Sequence, residues 1–166
     1  MFAFPGSFFA NVQGVGLGLA RRAIDEVVGI AATKVLMPQV VTMRDVPRVR
    51  EAVAEVEGKL RAARAYVYDA IDAVWERVCA GEALSDQERI DLILSRVQSV
   101  RVARDVAMTM VQLAGTQAIY TSSVLDRLLR DAVTINQHAV AGPVMIEAAG
   151  QLKLGQQPTG PLAAVL

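Results

Sequence analysis

His138 is the only histidine of the chain. An imidazole can act as a general base, a hydrogen-bond donor or a metal ligand. Alone it cannot build a metal site, and no HExxH pair or Cys/His cluster accompanies it, so no metal site is expected. A structural or surface role is the commoner one for a single histidine. Cys79, the only cysteine, falls near a helix C-terminus, where the dipole disfavours a thiolate and hence a nucleophile. Asp126, Arg127, Arg130 and Asp131 form a charged patch. Spacing by four pairs Asp126 with Arg130 and Arg127 with Asp131 along one helix. Such pairs contribute only about 0.3–0.5 kcal/mol each. The run Gly14-Val15-Gly16-Leu17-Gly18 is not a nucleotide loop, because Leu19 and Arg21 break the G-x-G-x-x-G pattern and no strand precedes it. Close helix packing through Gly14 and Gly18, four apart on one face, is the better reading. No Ser/His/Asp order, P-loop or pair of catalytic carboxylates can be argued from spacing.

The elements that must position these groups are helices. The first is expected from about Phe8 to about Val35. Pro38 and Pro47 bracket a loop. A second helix starts near Asp45, a candidate N-cap, with Pro47 in its first turn. Val49, Val53, Val56, Leu60, Ala63, Val67, Ile71, Val74 and Val78 recur in steps of three and four. At 1.5 Å per residue that helix is ~45 Å long. Gly81 supplies its stop. Ser85-Asp86-Gln87-Glu88 reads as a capping box opening a third helix. Its stripe is Ile90, Ile93, Val97, Val100, Ala103, Ala107, Met110 and Ala114, and Gly115 ends it. A polar turn leads to a fourth helix from Ser123 to about His138. A short fifth spans Pro143 to Gly150. The tail from Gly155, with Pro158, Gly160 and Pro161, is expected to be loose. No clean two-residue alternation and no internal repeat stands out. The fold class is all-α: an antiparallel up-and-down bundle of four main helices plus a short C-terminal helix.

Composition agrees with one packed domain. The chain has 166 residues, 53% of them apolar and 20% charged, which is too apolar for disorder. The excess over an average domain points to buried interfaces beyond its own core. Lys plus Arg equals Asp plus Glu at 17 each. A neutral balance leaves no electrostatic footprint for nucleic acid or an anionic membrane. Met1 to Ala20 and Val106 to Leu125 carry no charge. Pro5, Asn11 and Gln13 in the first, and Gln112 to Ser123 in the second, read as helices buried in protein, not as membrane spans. One unpaired thiol fits a cytoplasmic setting.

Residues from about Gly18 to Gly155 resemble the C-terminal domain of the acyl-CoA dehydrogenase superfamily. Gly18-Leu19-Ala20-Arg21-Arg22-Ala23-Ile24-Asp25-Glu26 is similar to that family's first C-terminal-domain helix. Leu60-Arg61-Ala62-Ala63-Arg64-Ala65 is similar to the middle of its second. Gln112-Leu113-Ala114-Gly115 and then Leu128-Leu129-Arg130-Asp131-Ala132 carry its Gln-x-x-Gly and Arg-Asp at the same separation. The resemblance implies a bundle spanning residues 1–155 with a flexible tail at 156–166. The family's N-terminal helical domain and middle β-barrel are then absent from this chain. It implies a flavin, FAD or FMN, shared with those missing domains. Lys34 falls where the family places an arginine against the pyrophosphate. Gln112, Gly115 and Thr116 fall on the segment that approaches the dinucleotide of a neighbouring subunit, and Arg130 joins them as a cofactor-binding candidate. Thr116 replaces a second glycine, which narrows the room for the backbone to approach.

The catalytic base separates branches of the family. A dehydrogenase needs a carboxylate to remove the α-proton of an acyl-CoA thioester. Its two implied positions hold Ala139 and Phe9 here, and Glu147 stands at neither. His138, with Gly115 to Ser123 upstream, resembles the flavin-dependent monooxygenase branch. That branch includes dibenzothiophene monooxygenase and the oxygenase components of hydroxylases, which take reduced flavin from a separate flavin reductase. The resemblance implies that His138 is the catalytic residue. It would hydrogen-bond the reacting flavin–oxygen species or deprotonate a small-molecule substrate. An acyl-CoA dehydrogenase with its base elsewhere and a non-catalytic assembly module are the alternatives. A homo-oligomer, dimer or tetramer, is implied in each case. The oxygenase reading expects the segment from Gln112 to His138 to fold back so that turn and imidazole face one cleft at the end of the bundle.

Overall fold

The computed structural model describes residues 11–159. The expected helix start at Phe8, the Phe9 position and the tail from residue 160 lie outside them. Five helices follow in chain order: α1 (Asn11–Thr33), α2 (Pro47–Ala80), α3 (Asp86–Ala114), α4 (Val124–Ile135) and α5 (Pro143–Lys153). They form the all-α bundle that the apolar spacing predicts. Among the described residues no helix is long and apolar enough to cross a membrane.

The helix ends follow backbone chemistry. Pro47 opens α2 at N1 after Val46. Asp45 is therefore not the cap: it closes a short 3₁₀ turn and accepts from Arg50 at 3.3 Å. Gly81 ends α2 in the left-handed region with φ 71°. Ser85 and Glu88 form the expected capping box at the start of α3. Glu88 receives Ser85 Oγ at 2.6 Å, Arg77 Nε at 2.7 Å and the Ser85 backbone N–H at 2.7 Å. These bonds, Ser85's hydroxyl first, hold its carboxyl down at about 2. Gly115 caps α3 with φ 64°.

Three boundaries differ from the sequence reading. α1 ends at Thr33, and a small hairpin follows in which β1 (Val35–Leu36) pairs antiparallel with β2 (Val41–Thr42). α4 stops at Ile135, not His138, because the Asn136 amide turns back to donate to the Ala132 carbonyl at 2.8 Å. α5 runs on past Gly150 to Lys153, and the left-handed residue beyond it is Gly155. In the charged patch Asp126 and Arg130 pair at 2.9 Å. No ion pair joins Arg127 and Asp131, both exposed.

α3 is the central element, in contact with all four other helices. Its C-terminal half enters the main core, with Ala20, Ala23, Ile24 and Val27 of α1, Val49, Val56 and Leu60 of α2, and Leu125, Leu128 and Ala132 of α4. Its N-terminal half forms a second cluster, Ile90, Ile93 and Val97 against Met145, Ala149 and Leu152 of α5. The glycine that brings α1 close to α3 is Gly16. A Cβ there would lie 2.8 Å from the Ser99 carbonyl oxygen and 3.3 Å from Val100 Cα. Gly14 and Gly18, the expected packing pair, have nothing within 4 Å of a Cβ. The small-residue pattern marked the right helix but the wrong face.

Two outcomes follow. Gly16→Ala must move backbone against backbone, and overpacking of this kind costs about 1–3 kcal/mol. Gly14→Ala and Gly18→Ala add helix propensity without a clash and stabilise by about 0.5–1 kcal/mol. Urea unfolding of the three variants reads the difference. Glu88 has a folded pKa below its unfolded value, so its contribution is complete above about 4.5 and is lost as pH falls toward about 2. Glu88→Gln is less stable than wild type at pH 7, and unfolding curves of the two converge as the pH approaches 2.

Candidate functional site

Lys34 follows α1 directly, where the chain turns into β1. Its Nζ donates to the Ala114 carbonyl at 2.6 Å. That carbonyl belongs to the last turn of α3 and opens the 3₁₀ turn Gly115–Ile119, and the ammonium sits at the negative end of the helix dipole. One of its three donors is used this way. Beside it lies an open cavity of about 450 Å³ lined by Asp25, Glu26, Gly29, Thr33, Lys34 and Gln117. Glu26 is paired with Arg22 at 3.1 Å.

Gln112, Gly115 and Thr116 are exposed at the same end of α3. Nothing lies within 4 Å of a Cβ on Gly115, so its backbone is open to approach. An ammonium with donors to spare, the Gln117 side chain and an open glycine suit a phosphate-bearing group. The Asp25 carboxylate opposes such a group on one wall, which directs an anion toward the Lys34 side. Sequence reading passed over Gln117. Its signal was its place two residues beyond Gly115, in the turn that Lys34 reaches. Apolar side chains crowd this end too: Val35, Met37 and Val40 on the hairpin, and Ile119 and Tyr120 at the end of the 3₁₀ turn that spans Gly115–Ile119, are all exposed. Arg130 is not part of this set. It stands exposed on α4 and is held by Asp126.

His138 stands elsewhere. It is exposed and precedes a 3₁₀ turn, Ala139–Ala141, for which its side chain is the N-cap. Nδ1 accepts the Val140 backbone N–H at 3.3 Å. Asn136, two residues earlier, donates to the Val100 carbonyl of α3 at 2.7 Å. Val100 precedes Gly115 by fifteen residues, about 22 Å along α3 at 1.5 Å per residue. The expected common cleft at the end of the bundle therefore does not form. The Lys34 cavity and the imidazole are two stations at different heights on one helix.

Behind the histidine station lies a polar layer that the sequence reading missed. Gln13 of α1 and Ser95, Arg96 and Ser99 of α3 are buried. Gln13 Nε2 donates to Ser95 Oγ at 3.4 Å, and Ser99 Oγ to the Arg96 carbonyl at 2.8 Å. Arg96 is 1% exposed, and its Nε donates to the Val140 carbonyl at 2.9 Å. Burial lowers its pKa to about 10. The available signal was its register: Arg96 falls between Ile93 and Val100 on the apolar stripe. Among the described residues no group of three or more His, Cys, Asp or Glu side chains could hold a metal ion.

This geometry has known counterparts. The chain is 37% identical to indole-3-acetate monooxygenase of Pseudomonas putida over 159 residues, 95% of this chain and 41% of that protein. It thus spans about two fifths of that relative's length. Among solved structures, XiaF from Streptomyces sp. in complex with FADH2 and glycerol superposes with a TM-score of 0.87 at 23% identity, covering 95% of this chain and 40% of that one. Butyryl-CoA dehydrogenase from Megasphaera elsdenii superposes with a TM-score of 0.77 at 19% identity, covering 90% and 37%. At these identities the two structures establish the fold alone. The profile of the family described as acyl-CoA dehydrogenase, C-terminal domain, matches residues 12–143. That match takes in α1 through the His138 turn, and the chain belongs to this family.

Proposed function

We propose that this bundle is the C-terminal domain of a flavin-dependent monooxygenase acting on a small aromatic substrate. The observation that carries the reading is the 37% identity, along 95% of the chain, to a protein named indole-3-acetate monooxygenase. The residues support it. Alanine and phenylalanine occupy the two positions where a dehydrogenase keeps its carboxylate, and Glu147 is exposed on α5. An exposed imidazole stands beside one of those positions.

The residues present fit a flavin in part. The Lys34 ammonium and the open backbone at Gly115 can meet phosphate oxygens, with Gln112 and Thr116 beside them. Lys34 offers a point charge where an arginine would offer a fork, so its grip is less directional. Arg130, the remaining cofactor-binding candidate, is exposed on α4 and paired with Asp126. Bound reduced flavin, FAD or FMN, supplies the electrons that activate molecular oxygen. His138 then does what an imidazole in this state can do. With Nδ1 accepting the Val140 N–H, the neutral ring carries its proton on Nε2, which donates a hydrogen bond at the substrate side.

Partners follow from the same reading. Reduced flavin comes from a separate reductase. The exposed apolar end, with Met37 at 75% and Ile119 at 70%, is the surface through which copies of the enzyme assemble as a dimer or tetramer.

In the complete flavoenzyme, His138→Ala lowers hydroxylated product by about 10²-fold and diverts oxygen to hydrogen peroxide. Product and peroxide are counted per reducing equivalent consumed. Unchanged coupling removes the role of His138. Turnover of an acyl-CoA with a dye acceptor and no reductase replaces the oxygenase reading with the dehydrogenase one.

A further inference from the structure

The turn that carries His138 is fastened to α3 at two points. Before the imidazole, Asn136 Nδ2 donates to the Val100 carbonyl at 2.7 Å and to the Ala132 carbonyl at 2.8 Å. After it, Arg96 Nε donates to the Val140 carbonyl at 2.9 Å. Arg96 and Val100 are four residues apart, so both fastenings lie on one face of α3. His138 sits midway between the fastened residues.

Val140 couples the two sides. It is 2% exposed. Its N–H goes to His138 Nδ1, and its carbonyl takes the guanidinium. The two groups lie in adjacent peptide planes that the turn ties together, Ala141 N–H donating to the His138 carbonyl at 2.9 Å and Gly142 N–H to the Ala139 carbonyl at 3.2 Å, so holding the Val140 carbonyl steadies the N–H. Burying a cation costs several kcal/mol before its bonds are counted, and an apolar side chain of similar volume is often neutral or stabilising at such a site. A charged donor nevertheless makes a shorter and stronger bond to a carbonyl than a neutral one.

We infer that Arg96 is the positioning residue of His138. From inside the core it holds Val140 so that the imidazole keeps Nδ1 as acceptor and presents Nε2–H to the substrate side. This rests on the role given to His138 above, and the test separates the two.

His138 is the only histidine, so the ring-nitrogen signals of the histidine-labelled full chain belong to it. At alkaline pH the two 15N resonances of wild type lie far apart, as a single Nε2–H tautomer requires. In Arg96→Met they move toward their mean, because Val140 no longer fixes the ring. Arg96→Lys, which keeps a cationic donor, retains most of the separation. A purely structural arginine changes the unfolding midpoint and leaves the nitrogen signals in place. A folded Arg96→Met with the wild-type separation therefore overturns the inference. If Arg96→Met does not fold, wild type decides: the Arg96 Nε–H exchanges slowly with solvent, and exchange as fast as that of the exposed arginines overturns the inference. The measurement needs neither flavin nor substrate. Unchanged coupling in His138→Ala sinks the catalytic role and leaves this result standing. Nitrogen signals indifferent to Arg96 sink the positioning role and leave the catalytic one.

Discussion

α3 packs against all four other helices and leaves only a stripe through Gln98, Arg101, Arg104, Asp105 and Met108 exposed along its middle, and the rest of the molecule is arranged around that constraint. From Ile90 to Ala114 its buried positions face α1, α2, α4 and α5 in turn. A helix packed in this way cannot shift without displacing every neighbour, because interiors are close-packed. Its closest neighbour is the backbone of α1 at Gly16, which rests on Ser99 and Val100. The Val100 carbonyl is also where Asn136 is anchored. One short path therefore runs from the α1–α3 contact to the turn of His138. The same helix delivers the Ala114 carbonyl to Lys34 at its far end. Both stations are references on one rigid rod.

Sequence periodicity made the rod legible and left much of its decoration hidden. Every residue of the stripe from Ile90 to Ala114 named from spacing is buried. Ser85, Gly81 and Gly115 act as the ends their chemistry implies. The hairpin was not legible, because strands of two residues carry no period. Gly16 was not distinguished from Gly14 and Gly18, because spacing gives the faces of a helix and not the neighbour each one meets. Arg96 escaped for a related reason: a charge on an apolar stripe reads as an interruption until a buried carbonyl is found within reach. Of the candidate site, the resemblance singled out Lys34 and the Gln112–Thr116 segment, and the structure brings the Lys34 ammonium to the Ala114 carbonyl at the end of α3. The oxygenase reading set His138 with them. The turn after α4 is anchored at Val100 and Arg96, well along α3 from that end, and this places His138 apart from them.

The distance between the stations bears on how a flavin would be used. Family resemblance assigns the Gln112 segment to the dinucleotide of a neighbouring subunit. The proposed function gives His138 the reacting end. On the proposed reading, the two stations lie about 22 Å apart along α3, and the Gln112 station would serve the flavin of a neighbouring subunit. Assembly and chemistry are then a single problem. An isolated subunit would offer each flavin an incomplete wall, and the exposed apolar end at Met37 and Ile119 is the side that assembly would cover.

Lys34 and Arg96 show how one kind of bond can serve opposite purposes. Each cation gives a hydrogen bond to a backbone carbonyl, at 2.6 Å and 2.9 Å. Lys34 is half-buried beside a cavity and has donors left for an incoming anion. Its bond to α3 restrains a flexible stem, so less entropy is lost when a ligand arrives. Arg96 lies where no ligand reaches. Its rigid fork is preorganised, so little freedom is lost per bond formed. A charge kept in the core against its desolvation cost is better explained by the orientation it imposes than by the stability it adds. The orientation it imposes falls on Val140, the residue that hydrogen-bonds the only imidazole of the chain.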